Sequence, residues 1–186
     1  MKSSLIFWCV LIVAGIGISA ASARAQSVAS AAQAAAANPI ARACGPSNQE
    51  FNVKSANDAN YSPAAAPGKA LVYFLQDDRF YADRPRPTVK WGIDGAWAGA
   101  TQSDALIAIS VDPGEHHVCS SWQGSGESAL AHFTAEAGKT YYFRAQDIDM
   151  DRRAWTTPGI LLALIDSDEG ALMASQLRVS TFKLKD

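Results

Sequence analysis

The strongest constraint on this chain is a stretch of alternating apolar and polar residues between positions 105 and 146. It contains four runs rich in Val, Ile, Thr, Tyr and Phe, the composition of half-buried β-strands. The runs are separated by Pro113-Gly114, by a Gly-rich loop at 123–127 and by a second turn at 137–139. Pro and Gly at such points favour tight turns. The stretch therefore predicts a four-stranded antiparallel meander, on which the other strands pack.

Further strand patterns lie on both sides of this stretch. Residues 69–76 form a nearly continuous apolar run, typical of a central strand covered on both faces. The dipeptide Asp94-Gly95 between two short apolar runs predicts a hairpin. Many short strands without a long amphipathic helix predict an all-β fold, an antiparallel β-sandwich. Asp168 can cap one short C-terminal helix. We expect residues 44–186 to form this single domain.

The N-terminal residues have the features of a signal peptide. A basic residue precedes an apolar run at 5–18, and small residues precede a cleavage site after Ala25. The run is short for a membrane span, which needs roughly 20 apolar residues, so a retained anchor is the less favoured alternative. We expect residues 1–25 to be removed, leaving an exported protein, periplasmic or secreted, without a membrane span. Residues 26–43, rich in Ala, Ser and Gln, are expected to be a disordered linker.

The charge of the chain limits its partners. The full sequence carries 16 basic and 18 acidic residues. Loss of Lys2 and Arg24 with the signal peptide leaves 14 basic residues and a net charge of −4 with His neutral. A weakly acidic chain without a basic run argues against nucleic acid and against anionic membrane surfaces as partners.

Two cysteines remain after cleavage, Cys44 and Cys119. An even pair of cysteines in an exported protein predicts one disulfide.

An alternative use of Cys119 is a zinc site. Pairing of Val118 with Phe133 across neighbouring strands would place Cys119 opposite His132, with His117 close by on the same face. Two imidazoles and a thiolate are plausible zinc ligands, with a fourth position open. The disulfide is the favoured hypothesis, because an oxidised sulfur is a poor ligand.

A polar stretch near the C-terminus contains the other candidate sites. An Asp-x-Asp-x-Asp pattern at 147–151 matches the opening of a calcium loop, but Arg152 stands where the glycine of an EF-hand belongs. A solvated acidic loop is therefore favoured over a calcium site. Trp155 beside Arg152 and Arg153 is the best candidate for an exposed contact surface, because an exposed aromatic ring can stack on a sugar or an apolar partner.

Catalytic motifs are missing from the sequence. Gly124-Ser125-Gly126 lacks the spacing of a nucleophile elbow. No phosphate-binding loop or dinucleotide fingerprint is present. The sequence therefore predicts neither an enzyme nor a bound cofactor.

A series of short motifs occurs in one order along nearly the whole domain: residues 44–46 (CGP), 68–74 (GKALVYF), 94–99 (DGAWAG), 113–116 (PGEH), 118–119 (VC), 137–143 (AGKTYYF) and 168–170 (DEG). Through these motifs residues 44–182 resemble a family of bacterial exported proteins, the domain of unknown function 2846. Single motifs also look like surface sandwich repeats of the PEGA type. The resemblance implies a β-domain of the cell envelope, an Ig-like or PEGA-like sandwich. It implies no activity, so no functional residue is carried over.

Two functional hypotheses result. The first is a non-enzymatic β-sandwich that binds a protein or glycan of the cell envelope. The second is a zinc-binding protein or metal-dependent enzyme that uses His117, Cys119 and His132.

Overall fold

A computed structural model describes residues 38–78, 87–148 and 159–185, with only the backbone of residues 147 and 148. The predicted signal peptide and most of the predicted linker lie outside these residues. The described strands are β1 Phe51–Ala56, β2 Ala70–Gln76, β3 Thr88–Ile93, β4 Ala96–Gln102, β5 Ala105–Val111, β6 Gly114–Trp122, β7 Ser128–Ala135, β8 Thr140–Ile148, β9 Gly159–Ile165 and β10 Arg178–Leu184, and the helices are α1 Pro39–Ala43 and α2 Ser167–Gln176. None of the helices in these ranges is long and apolar enough to cross a membrane.

The strands form two sheets that pack in a sandwich-like arrangement, as the sequence predicted in outline. One sheet has the order β1-β10-β5-β2-β8-β9 and the other the order β4-β3-β6-β7. The core lies between them, where Phe74 of the first sheet stacks on Trp91 of the second with ring centroids 5.0 Å apart. The larger sheet is mixed, because β2 runs parallel to β8 and β10 runs parallel to β5. The predicted antiparallel arrangement is therefore confirmed for the smaller sheet and for three strand pairs of the larger sheet. It is wrong for the β2–β8 and β10–β5 pairs.

The predicted four-stranded meander is also wrong in part. Only β6 and β7 pair as a hairpin, whereas β5 and β8 belong to the other sheet and both pair with β2. The turns before β6 and after β7 thus carry the chain from one sheet to the other. Alternation shows which face of a strand is buried, but it does not identify the partner strand. The prediction for β2 itself is confirmed, since it is a central strand with buried residues on both faces.

The Asp94-Gly95 hairpin is confirmed and joins β3 to β4. Both turn residues have positive φ, 50° for Asp94 and 82° for Gly95, the conformation of a type I′ turn. The turn places Asp94 beside β6, where one of its carboxylate oxygens accepts a hydrogen bond of 2.9 Å from the backbone N–H of His117.

Regular structure begins closer to the N-terminus than the sequence indicates. Residues 39–43, assigned to the disordered linker, form helix α1. The side-chain oxygen of Asn38 caps the helix by accepting a 3.0 Å hydrogen bond from the N–H of Ile40, and Pro39 occupies the first helical position, where its missing N–H costs nothing. Ala43 is buried, so α1 packs on the domain although it is only five residues long.

The predicted C-terminal helix is present as α2, capped by Asp166 rather than by Asp168. It covers the outer face of the larger sheet, where Met173 is buried with Leu75. Gly170 is buried against the ring of Tyr142, and a Cβ at position 170 would overlap that ring. The absence of a side chain at position 170 thus sets how closely the helix approaches β8.

The substitution Gly170→Ala tests this contact, because the contact determines whether the variant is less stable or more stable than the wild type. In an exposed helix interior, alanine is about 1 kcal/mol more favourable than glycine. Here we expect the variant to lower the free energy of unfolding by roughly 1–3 kcal/mol, because the new methyl group overpacks the contact with Tyr142. Urea unfolding of both proteins measures the difference. A variant as stable as the wild type or more stable would show that α2 is not held at this distance.

Candidate functional site

The residues of interest lie on the outer face of the smaller sheet, beneath a segment that we call the cover, residues 38–50. The cover consists of α1 and the irregular chain after it, and it packs on β3, β6 and β7. It approaches β3 closely over Gly92, where a Cβ would lie 2.6 Å from the carbonyl oxygen of Ala43. A side chain at position 92 would therefore lift the cover from the sheet.

A disulfide between Cys44 and Cys119 fixes the cover to β6, as the sequence predicted. The two Cα atoms are 5.2 Å apart, within the usual range for a disulfide. Both cysteines are buried with Ala43. The bond connects residues 75 positions apart, so it joins the beginning of the described domain to its middle.

Beside the disulfide, the cover and the sheet enclose a recess of about 370 Å³, which we call the Lys90 recess. Its lining combines polar and apolar side chains from both the cover and the sheet. The polar ones are Ser47, Asn48, Glu50, Lys90, Ser121 and Ser128, and the large apolar ones are Ile40, Trp97 and Trp122. The recess is thus amphipathic and lies at the edge of a covalently fixed segment.

The most unusual group in the recess is the ammonium of Lys90. The residue is only 4 % exposed, which is rare for lysine unless the charge is paired. Its Nζ donates to the carbonyl oxygens of Ser47 at 3.3 Å and Gln49 at 3.0 Å. It also lies 4.4 Å from the centroid of the Trp97 ring, where the electron-rich face of the indole attracts a cation.

Burial and the nearby charge of Glu50 shift the pKa of the Lys90 ammonium in opposite directions. Burial lowers the pKa of its ammonium, and the negative charge of Glu50 partly offsets this effect. The pKa of Glu50 is itself lowered by a hydrogen bond of 2.8 Å from Lys185 and by the charge of that lysine. Glu50 is therefore ionised at neutral pH, and the recess contains a cation and an anion.

Trp97 is held in place by the cover. Its indole Nε1 donates to the carbonyl oxygen of Pro46 at 2.8 Å. A Cβ on Gly45 would overlap the Trp97 ring, so the cover can lie this close only because residue 45 is glycine. Lys90 and Trp97 are thus both fixed by contacts with residues 45–49, and the geometry of the recess depends on the cover.

The zinc set predicted for His117, Cys119 and His132 is not assembled. The three residues share one face of the β6–β7 hairpin, but the register differs by two residues from the predicted one, because His117 lies opposite His132 and Cys119 opposite Leu130. The sulfur of Cys119 is bonded to Cys44. In the described part of the chain no three His, Cys, Asp or Glu side chains are grouped closely enough to hold a metal ion.

The contact surface predicted for Trp155, Arg152 and Arg153 lies outside the described residues, as does most of the Asp-x-Asp-x-Asp pattern at 147–151. Both stay predictions.

Sequence reasoning misses Lys90 and Glu50. Lys90 is a charged residue between the apolar Val89 and Trp91 of β3, a pattern that indicates only a residue on the opposite face of the strand. That this face is covered rather than exposed depends on the position of the cover, part of which the sequence assigns to a linker.

Comparisons with known proteins give no family or relative for the chain: neither the models of protein families nor the curated proteins contain a match. The functional conclusion therefore depends on the geometry of the described residues and on the sequence itself.

The electrostatics of the recess predict an unusual titration of Lys90. We expect its ammonium to deprotonate at a lower pH than the ordinary value for a lysine, because burial disfavours the charged form. The variant Glu50→Gln should lower the midpoint of Lys90 further, since it removes the compensating negative charge. NMR of the lysine Cε and Nζ signals against pH measures both midpoints. A Lys90 midpoint at or above the ordinary value for a lysine would contradict the burial of this ammonium.

Proposed function

We propose that this chain is a non-enzymatic, exported β-sandwich domain of the cell envelope that binds a saccharide in the Lys90 recess. The observation that carries the proposal is a buried ammonium in an amphipathic recess large enough for a small molecule. Export, the envelope location, an Ig-like or PEGA-like type of sandwich and membership of the domain of unknown function 2846 family are parts of the same proposal, supported by the sequence.

The size of the recess supports a small ligand. Its volume of about 370 Å³ lies at the lower end of the roughly 300–1,000 Å³ that is usual for small-molecule sites. A ligand of this size is one or two sugar rings rather than a folded partner. The disulfide and the hydrogen bonds between cover and sheet keep the recess formed before the ligand arrives, which reduces the ordering cost of binding.

The chemistry of the lining supports a polyhydroxyl ligand. Lys90 is a pure donor, the ionised Glu50 is a pure acceptor, and the hydroxyls of Ser121 and Ser128 can do both. Sugar hydroxyls also donate and accept, so they can match such a mixed set better than a simple anion or cation can. Trp97 gives the recess an apolar surface, which suits the C–H groups of a sugar ring.

Lys90 is the residue that we expect to contribute most to affinity. An ammonium has three N–H donors, and among the described residues the Lys90 ammonium donates to the carbonyls of Ser47 and Gln49. These two bonds leave one donor for a ligand hydroxyl or carboxylate. A hydrogen bond to a charged group contributes roughly 1.5–3 kcal/mol, which corresponds to a change in affinity of about 10-fold or more.

An array of oligosaccharides from bacterial envelopes, probed with the purified mature domain, tests the proposal. We expect the wild type to bind a subset of the array and Lys90→Met to weaken that binding about 10-fold or more. Lys139→Met is the matched control, because it removes an exposed lysine that does not line the recess, and it should bind as the wild type does.

A second variant controls for the possibility that loss of Lys90 weakens binding only by displacing the cover. Ser128→Leu narrows the recess while leaving Lys90 and its carbonyl acceptors unchanged, and it should also weaken binding. Near-ultraviolet circular dichroism checks that both variants stay folded. Absence of binding to every saccharide, or equal binding by all four proteins, would refute the proposed function.

A further inference from the structure

A second recess, of about 220 Å³, lies under helix α1 and shares no lining residue with the Lys90 recess. Two histidines line it, His117 of β6 and His132 of β7, together with Arg42 of α1. His117 is half-buried and His132 is exposed. Because saccharide binding in the Lys90 recess would use none of these residues, a site built on them is independent of the proposed function.

The two histidines face each other directly across the β6–β7 hairpin. The backbone of His117 is hydrogen-bonded on the other side, toward β3: its carbonyl oxygen accepts from the N–H of Asp94 at 2.9 Å, and its N–H donates to the Asp94 carboxylate at 2.9 Å. In an antiparallel sheet both groups of a residue point to the same neighbour. Relative to β7, His117 and His132 therefore form a non-hydrogen-bonded pair.

This type of pair brings side chains closest together. Opposed Cα atoms are about 4.5 Å apart in non-hydrogen-bonded pairs, against about 5.5 Å in hydrogen-bonded ones. The ring centroids of His117 and His132 are 6.4 Å apart. Because His132 is exposed, rotation about its side-chain bonds can turn one of its ring nitrogens toward His117.

The contact between Arg42 and His117 identifies the ring nitrogen that a metal ion would use. A guanidinium nitrogen of Arg42 is hydrogen-bonded to Nε2 of His117. Because a guanidinium can only donate, Nε2 of His117 is the accepting atom of this hydrogen bond. A metal ion would bind at the same nitrogen in place of Arg42. Arg42 is exposed, so its side chain can swing into solvent and give up the position.

We propose that His117 and His132 form an open two-histidine site for a divalent transition-metal ion, Cu²⁺ foremost. Imidazole nitrogen suits copper, nickel and zinc, and Cu²⁺ binds most strongly of the divalent first-row ions. Water or a small ligand completes the coordination. A structural zinc site needs four protein ligands, and the described residues group no third ligand with the pair.

Arg42 acts as a competitor of the metal ion in this proposal. Its guanidinium occupies the lone pair of His117 and places a positive charge in the recess. Removal of Arg42 should therefore tighten metal binding, a result that scattered surface histidines would not give.

Calorimetric titration of the tag-free mature domain with CuCl₂ tests the site. We expect one Cu²⁺ per chain, a loss of affinity of at least about 10-fold in each of His117→Gln and His132→Gln, and a gain of affinity in Arg42→Ala. Electron paramagnetic resonance of the wild-type complex should show two coordinated imidazole nitrogens.

The third histidine of the chain provides the matched control. His116 points to the opposite face of β6, where its imidazole is hydrogen-bonded to the carboxylate of Asp94. The variant His116→Gln should therefore bind Cu²⁺ as the wild type does. Absence of binding at micromolar Cu²⁺ would overturn the proposal. It would also be overturned if both His117→Gln and His132→Gln kept the wild-type affinity, or if Arg42→Ala bound more weakly.

Discussion

The disulfide between Cys44 and Cys119 is the constraint on which the outer face of the smaller sheet depends. Closing a loop of this length contributes on the order of 4 kcal/mol in the chain-entropy account of cross-links, a large part of the roughly 5–15 kcal/mol by which domains are stable. Helix α1 is too short to be stable by itself. The covalent bond lets it and the residues after it lie on the sheet, with Gly92 leaving room for them.

The cover gives the two faces of one sheet different chemistry. The inner face packs into the apolar core, where Trp91 is fully buried. The outer face carries Lys90 and His117, which would lie in solvent on an uncovered sheet. With the cover in place, Lys90 becomes a buried ammonium held by backbone carbonyls, and His117 becomes the hydrogen-bond acceptor of Arg42. Both proposed sites are therefore consequences of the same packing.

Local pattern was enough to predict part of this structure. The central strand β2 follows from an apolar run, and the Asp94-Gly95 hairpin follows from the chemistry of its turn. Both signals lie within a few consecutive residues. The disulfide follows from the number of cysteines, which requires no knowledge of the fold. Strand partners and register do not follow from local pattern, because a shift of two residues keeps every side chain on the same face of the sheet. The faces of His117 and Cys119 were therefore predicted correctly, while their partners on β7 were not. The Lys90 recess escaped prediction because it is made by residues far apart in sequence.

Hydrogen exchange at two indole N–H groups tests most directly whether the disulfide holds the cover on the sheet. Trp97 donates to Pro46 of the cover, whereas Trp91 donates to Thr101 in the core. In a double variant, Cys44→Ala with Cys119→Ala, hydrogen exchange by NMR should become fast at the Trp97 indole and stay slow at the Trp91 indole. Slow exchange at both would show that the cover stays in place without the disulfide. Fast exchange at both would show that the bond holds the whole fold rather than the cover, and either result would contradict this account.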